Sequence, residues 1–304
     1  MIKLSLIICT YDRIELLKSC ISSIVQALEA IPDGLYEVIV VNNHTDTHTA
    51  LLSALAQYKD VKIIIEPTAG LSVARNTGIK HATGHWLGFL DDDAIVPQNF
   101  IGRAIQIIDL HDFDCFGGGI ESWWKYPKPR WMSAAYGSKP PLRTDVGLLN
   151  LNEYNWGSNI FIKSDALRSI GGFPSYIGMK GKRIGYAAEN IVQDKMRASG
   201  YLIGYDPNLS ILHLVGQAKL SLSWQIRAAY ATARDGYTTY PQDYSAKGMI
   251  KTCRRIVAAP FKSLVLLAQS EYYWENWVLD TITPWAQLLG KLTARRKATT
   301  LPSA

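Results

Sequence analysis

The sequence predicts an α/β protein with a mainly parallel sheet flanked by helices and a helical extension at its carboxyl end. Two observations support this fold class. Short and almost wholly apolar segments recur through the first third of the chain, namely LSLIIC, YEVIVV, VKIIIE and HWLGFL, and apolar residues at helical spacing separate them. Such alternation is typical of a parallel sheet covered by helices on both faces. With 304 residues, 48% of them hydrophobic and 19% charged, the chain can form a large core.

The first third is predicted to alternate strands and helices. LSLIIC forms the first strand, and the apolar positions from Leu16 to Leu28 predict the first helix. YEVIVV is the second strand and precedes a helix from Leu51 to Tyr58. VKIIIE, a helix from about Leu71 to Ala82, and HWLGFL complete the series.

The pattern changes after Asp112. Three glycines with several aromatic residues and prolines predict a strand followed by a long loop to about Asn150. Ordered signals return with NWGSNIFIKSDAL, a helix from about Ala187 to Ser199, and strands near YLIGYD and ILHLV. A last helical region begins near Leu222 and leads into a basic tail.

Net charge is unevenly distributed. The chain has a formal charge of +6, and the part from Lys247 onward contains nine Lys or Arg residues but only three acidic ones. Residues 1–246 are therefore neutral overall. Because phosphate backbones are bound by basic surfaces, we do not expect nucleic acid to bind the main body of the chain.

The cysteines and the apolar runs predict the compartment. Four cysteines lie far apart in the sequence, which favours a reducing environment. The first apolar run is shorter than a signal-peptide core. The apolar stretch from Ile256 to Ala268 contains Pro260 and Lys262 and falls short of the ~20 residues that a spanning helix needs. We expect a cytoplasmic protein without a transmembrane helix, with peripheral binding to the inner face of the cell membrane as a further hypothesis.

Polar residues follow each predicted strand of the first third. Ligands of parallel sheets bind at the carboxyl ends of the strands. The predicted ligand edge therefore comprises 10–13, 42–46, 66–70 and 91–93.

Three consecutive aspartates occupy the last of these segments. Buried carboxylates without a partner are costly, so the cluster favours a cation. Oxygen ligands suit Mg²⁺ or Mn²⁺, and the sequence does not choose between these ions. As an alternative, Asp93 could cap a helix that begins near Pro97.

Several segments resemble one known family. The stretch EPTAGLSVARNTGIKHATGHWLGFLDDDAIVP, residues 66–97, resembles the signature of family 2 inverting glycosyltransferases of the GT-A fold. SLIICTYDR, WGSNIFIKSDALRSIGGF and ENIVQDKMRASGYLIGYDP resemble further family segments in the same order, so the similarity covers roughly residues 3–235. This resemblance implies the GT-A fold, a nucleotide-diphospho-sugar donor, and a divalent metal, Mn or Mg.

The resemblance also implies roles for individual residues. It places the following residues at the nucleotide-sugar: Thr10, Tyr11, Arg13, Asn42, Arg75, Asn76, Asp91 and Asp92. Asp93 matches the principal metal carboxylate, and His213 can complete the metal site. Arg75 could instead form a surface salt bridge, and His213 could be a structural residue. Asn42 stands where the family usually has Asp, which leaves the preferred nucleobase open.

Glu189 matches the catalytic base of the family. Alignment on the following RASGY segment puts Glu189 in the place of the usual Asp, and the preceding residue is Ala188. Val192 and Met196 share the helix face of Glu189, which predicts that this carboxylate points toward the body of the protein. Asp194 is predicted to face solvent. Stabilisation of the helix start by the carboxylate is the alternative role for Glu189.

We predict three regions. Residues 1–115 form the nucleotide-sugar-binding half, 116–240 the acceptor-binding and catalytic half of the same domain, and 241–304 a basic, aromatic helical extension. The expected acceptor is a glycan or glycolipid in cell-surface polysaccharide or glycolipid assembly.

The basic extension has two interpretations. MIKTCRRIVAAPFKSLVLLA mixes basic and apolar residues, and the closing cluster contains Arg295, Arg296 and Lys297. This composition favours binding to an anionic membrane surface. The alternative is packing on the catalytic domain or on a second subunit.

Two other functions remain open at this stage. A catalytically silent nucleotide-sugar-binding homologue is compatible with Asn42 and Ala188. A nucleotidyltransferase would also use a sheet and acidic metal ligands, but it normally has a glycine-rich phosphate loop after the first strand, and TYDRIELLK lacks glycine.

Overall fold

A computed structural model of the chain describes residues 2–181, 183–237 and 239–300, without the side chains of 297–300. The side chain of Lys297 and residues 301–304 of the predicted extension therefore lie outside the described part. Two compact units are present. Unit 1 comprises the chain up to Trp123 together with Gly137–Tyr176 and Ala188–Leu214, and unit 2 comprises Trp124–Tyr136, Ile177–Ala187 and the chain from Val215 onward.

All strands of the described chain belong to unit 1. They are β1 (Leu4–Thr10), β2 (Tyr36–Asn42), β3 (Val61–Ile65), β4 (Trp86–Asp91), β5 (Ala94–Ile95), β6 (Cys115–Trp123), β7 (Gly147–Leu148), β8 (Asn159–Lys163) and β9 (Gly204–Leu214). They form one sheet in the order β3-β2-β1-β4-β8-β6-β9-β5, and β7 pairs with β9.

The helices of unit 1 are α1 (Ile14–Leu28), α2 (His48–Leu55), α3 (Leu71–His81), α4 (Phe100–Leu110), α5 (Ser164–Ser169) and α6 (Ala188–Ala198). Those of unit 2 are α7 (Leu222–Asp235), α8 (Ala246–Leu266) and α9 (Trp274–Thr300). The second helix was predicted three residues too late, because a short 3₁₀ turn at Thr45–Thr47 leads directly into it.

The sheet is mixed. β3, β2, β1 and β4 run parallel to one another, as the alternating pattern predicts. β8 enters antiparallel between β4 and β6, whereas β6 and β9 are parallel. The predicted parallel arrangement thus holds for the amino-terminal half, and β8 reverses the direction beyond it.

The two strands predicted near YLIGYD and ILHLV are one strand, β9. Its pairing with β6 is irregular, since Gly118 faces Asp206 and Ile120 faces Ile211. The side-chain amide of Asn159 donates to the carbonyl oxygens of Gly119 and Leu209 across this shift. A bulged register, bridged by a buried amide, therefore keeps the two apolar segments in a single strand.

The core of unit 1 lies between the sheet and its helices. Every residue of β1 is buried, and α1 packs its apolar face onto the sheet through Leu17, Ile21 and Ile24. Burial of each such side chain contributes about 1.5–3 kcal/mol to folding. This packing holds the carboxyl ends of the parallel strands in place.

Unit 2 is helical. In it, α9 packs against both α7 and α8. Gly290 lets α9 approach α7 closely, because an added Cβ would overlap the carbonyl oxygen of Tyr230. Among the described residues, no helix is both long enough and apolar enough to cross a membrane.

Candidate functional site

Two carboxylates and one imidazole meet beyond the carboxyl end of β4. His213 Nε2 lies 3.3 Å from Asp91 Oδ2 and 3.2 Å from Asp93 Oδ1. One ligand atom of each side chain lies within 4.8 Å of the other two. The sequence placed Asp93 and His213 at one metal site, and the structure adds Asp91 to this cluster.

Strand pairing explains why residues so distant in sequence meet. β4 ends at Asp91, and the chain turns through Asp92 and Asp93 into β5. β5 pairs antiparallel with β9, with Ala94 opposite His213, and the amide of Leu214 donates to the carbonyl oxygen of Asp93. The β5–β9 pairing therefore holds His213 next to the aspartates.

Asp92 points away from this cluster and into the protein. It is buried and accepts a hydrogen bond from Thr10 Oγ1 at 2.7 Å. Arg13 Nη1 donates to Asp92 Oδ1 and to Asp93 Oδ2, each at 3.1 Å. Burial, reinforced by the neighbouring Asp93 carboxylate, raises the pKa of Asp92 to about 7. Thr10 and Arg13 thus contact the aspartates.

The donor set fits a hard divalent cation. Carboxylate oxygens suit Mn²⁺ and Mg²⁺ alike, and the imidazole of His213 favours Mn²⁺.

The capping alternative for Asp93 is wrong, because α4 begins only at Phe100, after Asn99.

Arg75 is buried beside the aspartates. Its Nη2 donates to the carbonyl oxygen of Gly157 at 2.8 Å and lies 3.3 Å from Asp91 Oδ1. The guanidinium also stacks over the ring of Phe173, 5.1 Å from the centroid. The salt bridge considered as the alternative for Arg75 is present, with Asp91, but its expected surface position is wrong, since the Arg75 side chain is almost fully enclosed.

Asn76 has a structural role in the described chain. Its Nδ2 donates to the carbonyl oxygen of Phe173 at 2.8 Å, and its Oδ1 accepts from the amide of the same residue at 2.9 Å. Both ends of the amide therefore hold the backbone that carries Phe173 under Arg75. The sequence analysis predicts that Asn76 contacts the nucleotide-sugar, whereas in the structure its side chain forms hydrogen bonds to this backbone.

Asn42 lies fully buried at the end of β2. Its Oδ1 accepts from the backbone amide of His44 at 3.0 Å, which directs Nδ2 the other way. Within the described residues, Nδ2 has no protein partner. Tyr11 is partly exposed and packs edge-on against the His44 ring, with centroids 4.8 Å apart. Asn42 thus offers a donor where the family usually offers a carboxylate.

Asn43 is a residue that the sequence argument missed. Its Nδ2 donates to the carbonyl oxygens of Glu66 and Thr68, and its Oδ1 accepts from the amide of Gly70. This single buried side chain shapes the loop between β3 and α3. Asn43 falls within the predicted ligand edge 42–46, but its role in shaping this loop has no local signal beyond the doubled asparagine after YEVIVV.

Glu189 lies in the first turn of α6, half-buried, and its helix face packs through the buried side chains of Val192 and Met196, as predicted. Gln193 Nε2 donates to the carbonyl oxygens of Glu189 and Asn155. Asp194 is 38% exposed and accepts from the hydroxyl of Tyr154, so it only partly faces solvent.

The backbone before α6 is strained. Ala187 adopts a left-handed conformation with φ of 72°, and Asp12, between Tyr11 and Arg13, has φ of 56°. Outside the glycines of the described chain, these are the positive-φ residues. Each left-handed non-glycine residue costs about 1–2 kcal/mol. Asp12 lies between two predicted site residues, and Ala187 lies two residues before Glu189.

Comparison with known proteins gives a family. The sequence profile described as "Glycosyl transferase family 2" matches residues 5–171. Glycosyltransferase AglE of Haloferax volcanii is 28% identical over 57% of this chain and 56% of its own length. The succinoglycan biosynthesis protein ExoM of Rhizobium meliloti is 23% identical over 75% of this chain and 72% of its own. The chain thus spans little more than half of AglE.

Solved structures show the same fold. The mannosyltransferase PcManGT of Pyrobaculum calidifontis, in complex with GDP-Man and Mn²⁺, aligns with a TM-score of 0.58 at 18% identity and covers 99% of this chain and 88% of that one. Residues 1–349 of S. aureus TarS in complex with UDP-GlcNAc align with a TM-score of 0.55 at 13% identity, covering 98% and 92%. These alignments confirm the predicted GT-A fold.

Proposed function

Because the chain belongs to glycosyltransferase family 2, we propose that it transfers a sugar from a nucleotide-diphospho-sugar to an acceptor hydroxyl with inversion at the anomeric carbon. The observation that carries this proposal is the cluster of Asp91, Asp93 and His213 at the carboxyl edge of the sheet. Support for the donor class comes from PcManGT and TarS, which were solved with GDP-Man and UDP-GlcNAc.

The reaction is a single displacement. The acceptor oxygen attacks the anomeric carbon while the bond from that carbon to the β-phosphate oxygen breaks, and the nucleoside diphosphate leaves with the electron pair. Glu189 accepts the proton of the acceptor hydroxyl, which is the work of a general base. Attack on the face opposite to the leaving group inverts the anomeric configuration.

Asp91, Asp93 and His213 would hold a divalent cation, and a bound cation supplies charge that stabilises the diphosphate as it leaves. Arg75 would orient the donor from its buried position against Gly157 and Phe173. Thr10 and Arg13 would fix the carboxylates, with Arg13 exposed enough to reach a ligand as well. Tyr11 would face the nucleoside, and Asn42, which is fully buried here, is proposed as a second contact through its Nδ2, which lacks a protein partner within the described residues.

We propose a glycan or glycolipid as acceptor and cell-surface polysaccharide or glycolipid assembly as the process. Similarity to ExoM, a succinoglycan biosynthesis protein, supports this class of process. A location on the cytoplasmic face of the cell membrane is part of the same proposal, since lipid-linked acceptors are found at a membrane.

The proposal is tested by release of nucleoside diphosphate from a panel of UDP- and GDP-sugars in the presence of Mn²⁺. We expect turnover with at least one donor, loss of turnover in excess EDTA, and loss in Asp93→Asn. The affinity for Mn²⁺, measured by electron paramagnetic resonance, should fall in the same variant. Asp112→Asn, at an exposed aspartate, is the matched control and should keep both properties.

Three outcomes would contradict parts of the proposal. Full turnover in excess EDTA would exclude a metal ion from the proposed mechanism. Donor binding without turnover for any acceptor would favour the catalytically silent homologue. Release of pyrophosphate from a nucleoside triphosphate and a sugar phosphate would favour a nucleotidyltransferase.

A further inference from the structure

One side of α8 is apolar and open to solvent. Ile250, Val257 and Leu264 are spaced seven residues apart, and Phe261 and Val265 lie four and eight residues after Val257. At 3.6 residues per turn, all five project from one side of the helix. We call these five side chains the apolar stripe.

The apolar stripe is strongly exposed. Phe261 is 72% exposed and Val265 is 74% exposed, and the other three members are each more than half exposed. Soluble proteins rarely present contiguous apolar patches of this kind unless the patch binds something. The stripe is therefore a candidate interaction surface.

The opposite side of α8 is held within unit 2. Thr252 and Ser263 are buried, and Lys291 of α9 donates to Thr252 Oγ1 at 3.0 Å. The indole of Trp277, also in α9, donates to the carbonyl oxygen of Pro260. Because these contacts hold the inner side within unit 2, the apolar stripe faces outward from the helix.

The charges of α8 have one sign. The helix contains no Asp or Glu, and its five basic residues are all exposed: Lys247, Lys251, Arg254, Arg255 and Lys262. Lys247 and Arg254 project within roughly a quarter turn of the apolar stripe at the helical repeat. Apolar residues on one face with cations beside them are typical of helices that lie in a membrane interface.

A second group of cations lies on the neighbouring flank. Lys251, Arg255 and Lys291 line a cavity of about 210 Å³ in unit 2. Burial lowers the pKa of Lys291; the carboxylate of Asp243, which lines the same cavity, opposes this shift, and the charges of Arg255 and Lys251 add to it. The lining thus carries three cations and one carboxylate, and an anionic surface is attracted to such a net positive charge.

We propose that α8 is an interfacial helix that docks the protein on an anionic lipid bilayer, with the apolar stripe inserted among the acyl chains and the basic residues at the headgroups. This makes specific the membrane location proposed above, and it does not depend on the proposed transfer reaction, because docking requires no turnover. The all-basic charge favours an anionic bilayer over a second copy of the chain, since two copies of α8 would bring like charges together.

The test is sedimentation of the full chain with vesicles. Vesicles of phosphatidylcholine mixed with phosphatidylglycerol should bind at least tenfold more tightly than vesicles of phosphatidylcholine alone. Phe261→Glu with Val265→Glu should weaken binding to the mixed vesicles by tenfold or more. Both positions are so exposed that the substitutions leave packing intact. Leu110→Glu, at a leucine that is 75% exposed in unit 1, is the matched control and should bind normally.

The electrostatic part is tested separately. Lys247→Gln with Arg254→Gln should weaken binding about tenfold, and added salt should weaken it further. Lys59→Gln with Lys80→Gln, two exposed lysines of unit 1, should leave binding unchanged.

Equal binding to both kinds of vesicle would overturn the proposal, as would binding that survives the change at Phe261 and Val265. The protein could also fail to bind vesicles and form a dimer, as measured by light scattering. If Phe261→Glu then converts this dimer to a monomer, the apolar stripe serves self-association and the proposal is overturned.

Discussion

Side-chain direction separates three aspartates that are identical in type and adjacent in sequence. Asp91 and Asp93 face His213, whereas Asp92 turns inward to Thr10. The turn that joins β4 to β5 sets these opposite directions, since Asp92 and Asp93 lie between the two strands. The sequence showed that the cluster needs a cation, but it could not assign the three carboxylates, because their directions depend on the turn from β4 into β5.

We predict that Glu189→Gln lowers kcat by roughly 10²–10⁴-fold, because a general base contributes that much to rate and little to donor binding. Donor affinity, measured by calorimetry, should stay unchanged. Asp194→Asn on the same helix is the control, because the Asp194 carboxylate already accepts a hydrogen bond from Tyr154. The turnover of this variant should be near normal. Near-normal turnover of Glu189→Gln would exclude it as the base.

We predict that Gly157→Ala weakens donor binding about tenfold, because the new Cβ would lie 3.0 Å from both terminal nitrogens of Arg75 and displace them. A loss of this size corresponds to about 1.4 kcal/mol. Arg75→Lys should cause a similar loss, and the double variant should lose little more than either one, as coupled neighbours do. Additive losses would show that Gly157 acts independently of Arg75.

Residues within single elements were the most predictable part of the site. The helix of Glu189 and the strand before the aspartates follow from local periodicity, and both were confirmed. The hydrogen bonds of Asn43 and Asn76 could not be predicted in this way. Each amide binds backbone from another part of the chain, at Gly70 and at Phe173, and no local pattern encodes such a partner.

At the scale of elements, the sequence did not predict the direction of β8 or the joining of two apolar segments into the single strand β9. Nothing in the apolar segment NIFIK indicates that β8 runs antiparallel to β4, since strand order is decided by long-range packing. The two apolar segments of β9 looked separate because a polar stretch divides them, and that stretch lies at the register shift facing Gly118 and Ile120.

This shift gives an element-scale prediction. A Cβ on Gly118 would overlap the carbonyl oxygen of Leu209, which is backbone and cannot rotate away. We expect Gly118→Ala to lower the free energy of unfolding by about 3 kcal/mol in urea denaturation. Gly147→Ala, on the strand that pairs with β9 elsewhere, meets open space and should change it by less than about 1 kcal/mol. Equal stabilities would mean that β6 and β9 pair differently.

At the scale of the whole molecule, thiol accessibility reports on both units at once. Cys9, Cys20 and Cys115 are buried in unit 1, and Cys253 is exposed on α8. Burial raises the pKa of the Cys9 thiol to about 12, which further suppresses its thiolate. We predict that a thiol reagent labels one cysteine per native chain quickly and the other three only on unfolding.

Mass spectrometry of the labelled protein checks this prediction. Cys253→Ser is the control and should remove the fast label completely. Fast labelling at any of the three other positions would show that unit 1 opens on the timescale of the reaction.

The boundaries of the two units lie after Trp123, Tyr136, Tyr176, Ala187 and Leu214. The polypeptide therefore passes from one unit to the other five times. Protein engineers who exchange domains rely on a single hinge, or on two, where a cassette can be excised. Here, truncation after Leu214 would still leave Trp124–Tyr136 and Ile177–Ala187 without the helices that accompany them in unit 2. An exchange of either unit would consequently require five junctions at once, so changes to one unit are better made by substituting side chains in the intact chain.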